Sequence, residues 1–293
     1  MDNLTIQVSA GSIFGFLGPN GAGKTTTIRL LLGLLAPTSG SATVLGHDTR
    51  SAAPAIRERT GALLEFSGLY ERLTAADNLE FYGRVWHLPR AARAARIQEL
   101  LTHFGLWERR REFVRTWSRG MKQKLALART LLHRPTLVFL DEPTAGLDPI
   151  AAAGLRTDLA ALAGREGVTV FLTTHNLTEA EKLCAQVGII RAGRLVAVGP
   201  LEQLRARSST PRIEIVGRNL TEQVAAALRG MPGVLGTALH DGRLTVELER
   251  DASTAPLIQR VLAAGGEVEE ARKAVASIEE VFLTLMHEAE PPK

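Results

Sequence analysis

The chain has 293 residues, with Lys+Arg 35 against Asp+Glu 31 and a formal net charge of +4. Hydrophobic residues are 45% and charged residues 23%, which excludes a wholly disordered or collagen-like chain and leaves room for two domains. The basic surplus is too small to imply a nucleic-acid partner, though a pI of about 9.6 fits contact with an anionic ligand or membrane surface.

Leu4, Ile6 and Val8 alternate with polar residues and predict a strand. Ile13–Leu17 predicts a buried strand, followed by a glycine-rich loop over Gly18–Gly23 and a helix from Thr25 to Leu35 that Pro37 and Gly40 stop. Thr43–Leu45 and Ala62–Leu64 read as further strands. Thr74 with Asp77 forms a capping box opening a helix through Trp86. Pro89 starts another helix, ended by Gly105, and a third follows Ser118 and stops before Pro135. Strand signals return at Leu137–Leu140 and Val168–Thr173, with a helix from Pro149 to about Arg165 between them. A helical insert therefore interrupts an α/β domain with a mostly parallel sheet. Val187–Arg191 and Arg194–Val198, joined by Ala192-Gly193, predict a hairpin. Cys184 stands alone, so it has no internal disulfide partner, and it reads as a small buried apolar residue.

Arg205–Pro211 reads as a linker. Beyond it the elements run strand 212–216, helix 220–229, strand 234–240, an Asp241-Gly242 turn, strand 243–249, helix 254–264 and a strand near 267–272. That order is βαββαβ, the ferredoxin-like pattern. A last helix starts at Ser277, and the tail Glu290-Pro291-Pro292-Lys293 reads as frayed. No apolar run reaches the ~18 residues of a bilayer span. Met1-Asp2-Asn3 lacks the basic-then-apolar pattern of a signal peptide.

Gly18-Pro19-Asn20-Gly21-Ala22-Gly23-Lys24-Thr25 fits G-x-x-x-x-G-K-[ST] at every fixed position. Small residues let the backbone curl so that successive N–H groups point at phosphate oxygens, and the following helix adds its positive N-terminal end. Lys24 reaches the β- and γ-phosphates, and the Thr25 hydroxyl can ligate Mg²⁺. Leu137–Asp141 is an apolar strand ending in a carboxylate that can hold Mg²⁺ through water. Glu142, next to it, is placed to polarise an attacking water.

Between these motifs lies Trp117-Ser118-Arg119-Gly120-Met121-Lys122-Gln123, directly before a helix. Downstream runs Asp141-Glu142-Pro143-Thr144-Ala145-Gly146-Leu147-Asp148-Pro149. In this order the motifs resemble the ATP-binding cassette (ABC) family of transporter ATPases. Ser118 and Gly120 are identical to that family's signature, and Ser118–Gln123 is similar to the variant in exporters of antibiotics, lipids and sodium. The resemblance implies a P-loop NTPase nucleotide-binding domain over residues 1–205, with a helical subdomain at about 74–134. Residues 212–293 would be an accessory α+β domain, whose Ser277-Ile278-Glu279-Glu280-Val281-Phe282 resembles the subgroup's closing motif. It also implies ATP and Mg²⁺ as cofactors, with ATP contacted by Gly18 through Gly23 and by Lys24, Thr25 and Thr26. Ser118 and Gly120 would touch the γ-phosphate held by a second copy of the chain. His175 matches the switch histidine, and Asp148 matches the aspartate that communicates across the dimer. A separate transmembrane permease is the implied partner, docked near Glu65–Arg84 on the cytoplasmic face of the membrane, with Tyr70 and Phe81 there as either docking anchors or buried core aromatics.

Two departures stand out. Glu65 occupies the place of the family's Mg²⁺-facing glutamine, which predicts a metal site that survives with altered coupling. The aromatic residue that stacks on adenine in the family would lie upstream of Asp2-Asn3-Leu4, and Met1 stands too close to Gly18 to leave room for it. A misassigned start or a truncation, with weakened adenine recognition, is the expectation. Soluble relatives acting on ribosomes or DNA usually carry two cassettes or a long coiled coil, whereas this chain has one cassette and no sustained heptads. A regulatory subunit with little turnover is the other alternative. The second domain reads as a passive packing module.

Overall fold

The computed structural model describes residues 1–208, 211–240, 242–249, 252–274 and 277–288. The first unit runs through β1 (Ile13–Leu17), α1 (Lys24–Leu31), β2 (Thr43–Val44), β3 (His47–Asp48), α2 (Ala53–Arg59) and β4 (Thr60–Leu63). Then come α3 (Ala75–Val85), α4 (Arg90–His103), α5 (Arg119–Thr130), β5 (Leu137–Asp141) and α6 (Pro149–Glu166). It closes with β6 (Thr169–Thr174), α7 (Leu177–Leu183), β7 (Gln186–Arg191) and β8 (Arg194–Pro200). Its main sheet has the order β4-β5-β6-β1-β7-β8. All neighbours are parallel except the β7–β8 hairpin.

The continuous apolar runs explain this arrangement. Every residue of β1 and β6 is buried, as a strand covered on both faces requires. Phe171 on β6 is the hub of the core, with ring centroids 5.3 Å from Phe14 and 5.6 Å from Phe139. Because β1, β5 and β6 are parallel, the loops after them open at one sheet edge. The neighbours of β1 lie on opposite sides and come later in the chain, which makes that edge the crevice of an open α/β sheet.

The helical insert is α3, α4 and α5. Thr74 caps α3, its hydroxyl accepting from the Asp77 N–H at 3.1 Å. The Arg93 guanidinium clamps Glu80 with two bonds of 2.6 and 2.7 Å, tying α4 to α3. Cys184 is buried, and burial pushes its thiol up to about 12.

Several expectations are corrected. Leu4, Ile6 and Val8 do pack against the core, but the segment pairs with no strand among the described residues. Alternation selects a buried face and cannot supply a ladder neighbour. Helix α1 ends at Leu31 rather than Leu35, because Gly33 adopts φ +63° and packs where a Cβ would sit 2.4 Å from Ala53 Cβ. The strand predicted at Thr43–Leu45 is β2, whereas its partner β3 and helices α2 and α7 were not read from the sequence.

The division into two compact units falls between Leu201 and Glu202. It lies inside α8 (Leu201–Ser208), so the predicted linker is helical through Ser208, while residues 209 and 210 lie outside the described residues. No Gly or Pro interrupts that stretch, and an ion pair of 2.9 Å links Glu202 to Arg205 at helical spacing.

The second unit contains β9 (Arg212–Arg218), α9 (Glu222–Arg229), β10 (Val234–His240), β11 (Arg243–Leu248), α10 (Ala255–Ala263), β12 (Glu267–Ala274) and α11 (Ile278–Glu288). The sheet order is β10-β11-β9-β12, antiparallel throughout, as the βαββαβ pattern predicts. Ile213, Ile215, Leu244 and Val246 form its core with Val224, Leu228, Leu257 and Val261. Gly242 turns the β10–β11 hairpin with φ +72°; Asp241 and the tail at 290–293 lie outside the described residues.

Candidate phosphate-binding and catalytic site

The loop after β1 has the close approach its glycines imply. A Cβ on Gly18 would lie 2.4 Å from the Ile190 carbonyl oxygen, so only glycine fits there. Helix α1 begins at Lys24 with no side-chain cap and no acidic residue in its first turn. Its first N–H groups and its positive end therefore face the loop, available to an anion. Lys24 is 6% exposed, and its ammonium donates to the carbonyls of Gly18 at 2.8 Å and Pro19 at 3.2 Å. It also pairs with Glu142 Oε1 at 3.2 Å.

Strand β5 delivers the carboxylates to the same edge. The Thr25 hydroxyl donates to Asp141 Oδ2 at 2.6 Å, joining the start of α1 to the end of β5. The Thr173 hydroxyl donates to Asp141 Oδ1. The Glu142 N–H is held by the Thr173 carbonyl at 3.0 Å and the Thr173 hydroxyl at 3.2 Å. Glu142 has φ +50°, a left-handed conformation disfavoured for side chains with a Cβ, and these bonds hold it there. His175 Nδ1 lies 2.6 Å from Glu142 Oε2. The structure thus brings together five of the residues singled out from sequence: Lys24, Thr25, Asp141, Glu142 and His175.

Ser118 and Gly120 take no part in that cluster. Ser118 is exposed and caps α5, its hydroxyl accepting from the Met121 N–H at 3.3 Å. The Arg119 guanidinium packs over Gly146, whose φ of +67° favours glycine. Gln123 Nε2 donates to the Pro143 carbonyl at 2.7 Å and anchors α5 to the turn after Glu142. Asp148 caps α6, accepting from Ile150 and Ala151 N–H at 3.0 and 2.9 Å. A cavity of about 400 Å³ opens between the turn at Glu142–Pro149 and His175–Asn176. Glu65 is exposed and has no hydrogen-bond or ion-pair partner among the described residues. Leu63 pairs with Leu140, so Glu65 lies two positions past β4, at the same edge as Glu142 past β5.

Sequence reasoning gave no role to Thr173 or Glu179, and named Gln123 only as part of the run from Trp117 to Gln123. A threonine ending an apolar strand carries no motif, and only the pairing of Asp141 with Thr173 reveals its role. Glu179 is fully buried on α7 with both carboxylate oxygens unpartnered. Burial pushes its carboxyl above the usual range, and the nearby Thr174, Thr144 and Arg156 offset only part of this.

The ABC transporter family model matches residues 1–145, and the model for the C-terminal domain of DrrA1-3-like ATP-binding proteins matches residues 199–286. Daunorubicin resistance ATP-binding protein DrrA3 of Streptomyces coeruleorubidus is 39% identical over 284 residues, 97% of this chain and 86% of the relative. The chain belongs to the family of ABC transporter ATP-binding proteins. Bacitracin transport ATP-binding protein BcrA of Bacillus licheniformis is 42% identical over 71% of this chain and 67% of its own length. A solved ATP-binding subunit of an ABC transporter shares the fold with a TM-score of 0.63 at 33% identity, over 70% of this chain and 85% of that one. As an ABC ATPase the chain binds ATP through the domain matched here. Among the described residues, no helix is long and apolar enough to cross a membrane.

Proposed function

We propose that this chain is the ATP-hydrolysing subunit of an ABC exporter. The observation that carries this reading is the unbroken contact from Lys24 in the phosphate loop through Glu142 to His175. Residues 1–205 act as the catalytic cassette and residues 212–293 as the accessory domain. Relatives named for daunorubicin resistance, bacitracin transport and Nod factor export support the exporter direction.

In this mechanism the curled backbone from Gly18 through Gly23, with Pro19, Asn20, Gly21 and Ala22 between, and the N–H groups at Thr25 and Thr26 hold the phosphates. Lys24 neutralises charge that develops on the γ-phosphate. Glu142, fixed by Thr173, accepts the proton of the attacking water, and His175 steadies Glu142 and senses the γ-phosphate. The Thr25 hydroxyl beside the Asp141 carboxylate is a hard-oxygen pair of the kind Mg²⁺ takes alongside phosphates and water. Thr25 and Asp141, with Glu65 from the adjacent strand end, would hold Mg²⁺, which supplies positive charge to the phosphate oxygens.

Ser118 and Gly120 stand at the start of α5, with Ser118 exposed and free to meet ATP bound by a second copy, and Asp148 links the two copies. A separate membrane permease docks at Glu65–Arg84, where Tyr70 and Phe81 pack edge to face at 4.9 Å while staying 47% and 41% exposed. The chain then works at the cytoplasmic face of the membrane. The test is the solution mass of Glu142→Gln with and without ATP. A monomer that becomes a dimer only with ATP is expected. A monomer under both conditions, with the permease present, would overturn the two-copy site.

A further inference from the structure

A second cavity lies away from the phosphate loop, where β4 and α2 face α3 and α5. Its volume is about 340 Å³. Two guanidinium groups line it, and neither has a carboxylate partner among the described residues. Arg129 donates to the Ala62 carbonyl at 3.0 Å and sits over the Tyr82 ring, 5.2 Å from its centroid. Arg57 donates to the Leu32 carbonyl at 3.2 Å. Elsewhere in the insert the buried arginines are matched with acids, as Arg93 is with Glu80 and Arg96 with Glu99.

Three polar atoms on the lining are buried without a hydrogen bond: Arg129 Nε, His133 Nδ1 and Thr60 Oγ1. Thr60 is only 4% exposed. His133 is fixed from both sides, its Nε2 3.0 Å from the Thr60 carbonyl and its ring stacked on Trp86 at 3.9 Å. A half-buried cation with no carboxylate, beside a buried guanidinium N–H and a buried hydroxyl with no acceptor, is an expensive arrangement for an isolated chain. Burial lowers the proton affinity of both Arg129 and His133, so the cost falls on these groups themselves. Phe66, 82% exposed, stands at the rim with an apolar ring in water.

We propose that this cavity receives an acidic side chain from the membrane subunit, its carboxylate seated against Arg129 and Arg57 and the rest of its segment packed on Phe66. The inference rests on the docking reading above and names the chemistry of recognition there. Charge complementarity selects the occupant: the lining offers positive charge and donors, which an aliphatic side chain leaves unsatisfied and a basic one repels. The location supplies a link to hydrolysis. Thr60 and Ala62 belong to β4 and its pairing with β5, and β5 ends in Asp141. A carboxylate that braces Arg129 therefore braces the strand pair that carries the catalytic edge.

The experiment uses the full chain with its co-expressed membrane subunit in lipid vesicles. Arg129→Glu is expected to weaken association about 30-fold or more while basal hydrolysis by the isolated chain stays within about twofold. Arg57→Glu, on a half-exposed side chain, serves the same purpose if Arg129→Glu does not fold. In either background, each Asp and Glu in the cytoplasmic segments of the membrane subunit is changed to Arg. Restoration of association by one of these reversals is the expected result. Full association of both folded variants, or no restoration by any reversal, overturns the inference. Failure of the unaltered chain to bind the membrane subunit would instead sink the transporter-subunit reading itself. Sub-millimolar binding of free N-acetylglutamate to the isolated chain, lost in Arg129→Gln, would reassign the cavity to a small anion and overturn the partner as its occupant.

Discussion

In the six-stranded unit the reactive groups converge, whereas in the four-stranded unit the charged groups spread out and cancel. Lys24, Asp141, Glu142 and His175 come from the ends of three different strands and meet at one edge. In the second unit Glu214 sits mid-strand and pairs sideways with Arg272 at 2.8 Å and Arg243 at 3.6 Å, all on the solvent face of the sheet. The core of that unit is aliphatic. The difference follows from strand direction. Parallel strands deliver their C-terminal residues to a shared edge, while antiparallel strands send successive connections to opposite ends. The first geometry builds a site, and the second builds a sheet that stabilises itself.

The largest expected effect breaks the convergent side. Glu142→Gln removes the proton acceptor but keeps the side-chain volume. ATP hydrolysis should fall about 10²- to 10⁴-fold in steady-state assays, the range general-base removal gives. Thermal unfolding of the second unit should not move. A fall of less than about tenfold would mean that Glu142 is not the base.

The next prediction works on the other side. Ile215 is fully buried in the second core. Ile215→Ala should cost about 2–5 kcal/mol in urea unfolding of that unit. Hydrolysis per folded molecule should be unchanged. A parallel drop in turnover would show that the second unit feeds the catalytic edge and is more than a packing module.

How much of this was legible in the sequence follows the same division. That the phosphate loop, Asp141 and Glu142 would come together was readable because each motif has fixed residue types at fixed local spacing, while His175 was reached only through the family resemblance. The βαββαβ order was readable because strand and helix periods alternate cleanly there. Thr173 was not, since its bonds to Asp141 and Glu142 exist only once β5 and β6 pair in register. The positive φ of Glu142 leaves no trace in residue identity. Leu4, Ile6 and Val8 gave the right inward face and the wrong ladder, because alternation records burial and hydrogen-bond partners lie elsewhere in the chain. That Arg57 and Arg129 meet carbonyls and no carboxylate among the described residues depends on what α3 and α5 place opposite them, which no local pattern encodes.

Glu179 sharpens the comparison through pH. It is a buried, unpartnered carboxyl near Glu142, and burial raises its proton affinity. The folded chain therefore holds that proton more tightly than the unfolded chain. The resulting stability is full below the ordinary glutamate value of 4.5 and is lost as pH rises through the folded value. Glu179→Gln should abolish that loss. Melting temperatures of variant and parent should converge below pH 4.5 and separate above it, with the variant higher at neutral pH. A variant that melts lower at neutral pH would mean that the ionised carboxylate is needed where it lies.

The smallest expected effect belongs to Arg272→Ala on the exposed ladder. The Arg272 guanidinium donates to Glu214 across the strand pair and holds its own proton more tightly for it, but the contact stands in water, where screening and side-chain entropy absorb most of the gain. Glu214 also keeps Arg243 when Arg272 is lost, so no buried charge is left bare. The urea midpoint of the second unit should stay within measurement scatter at both low and high salt. This is the opposite of the first unit, where Asp141 and Glu142 lie at the end of a buried strand and each has distinct partners. A loss from Arg272→Ala comparable with that from Ile215→Ala, and relieved by salt, would mean that the ladder rather than the aliphatic core holds the second sheet together.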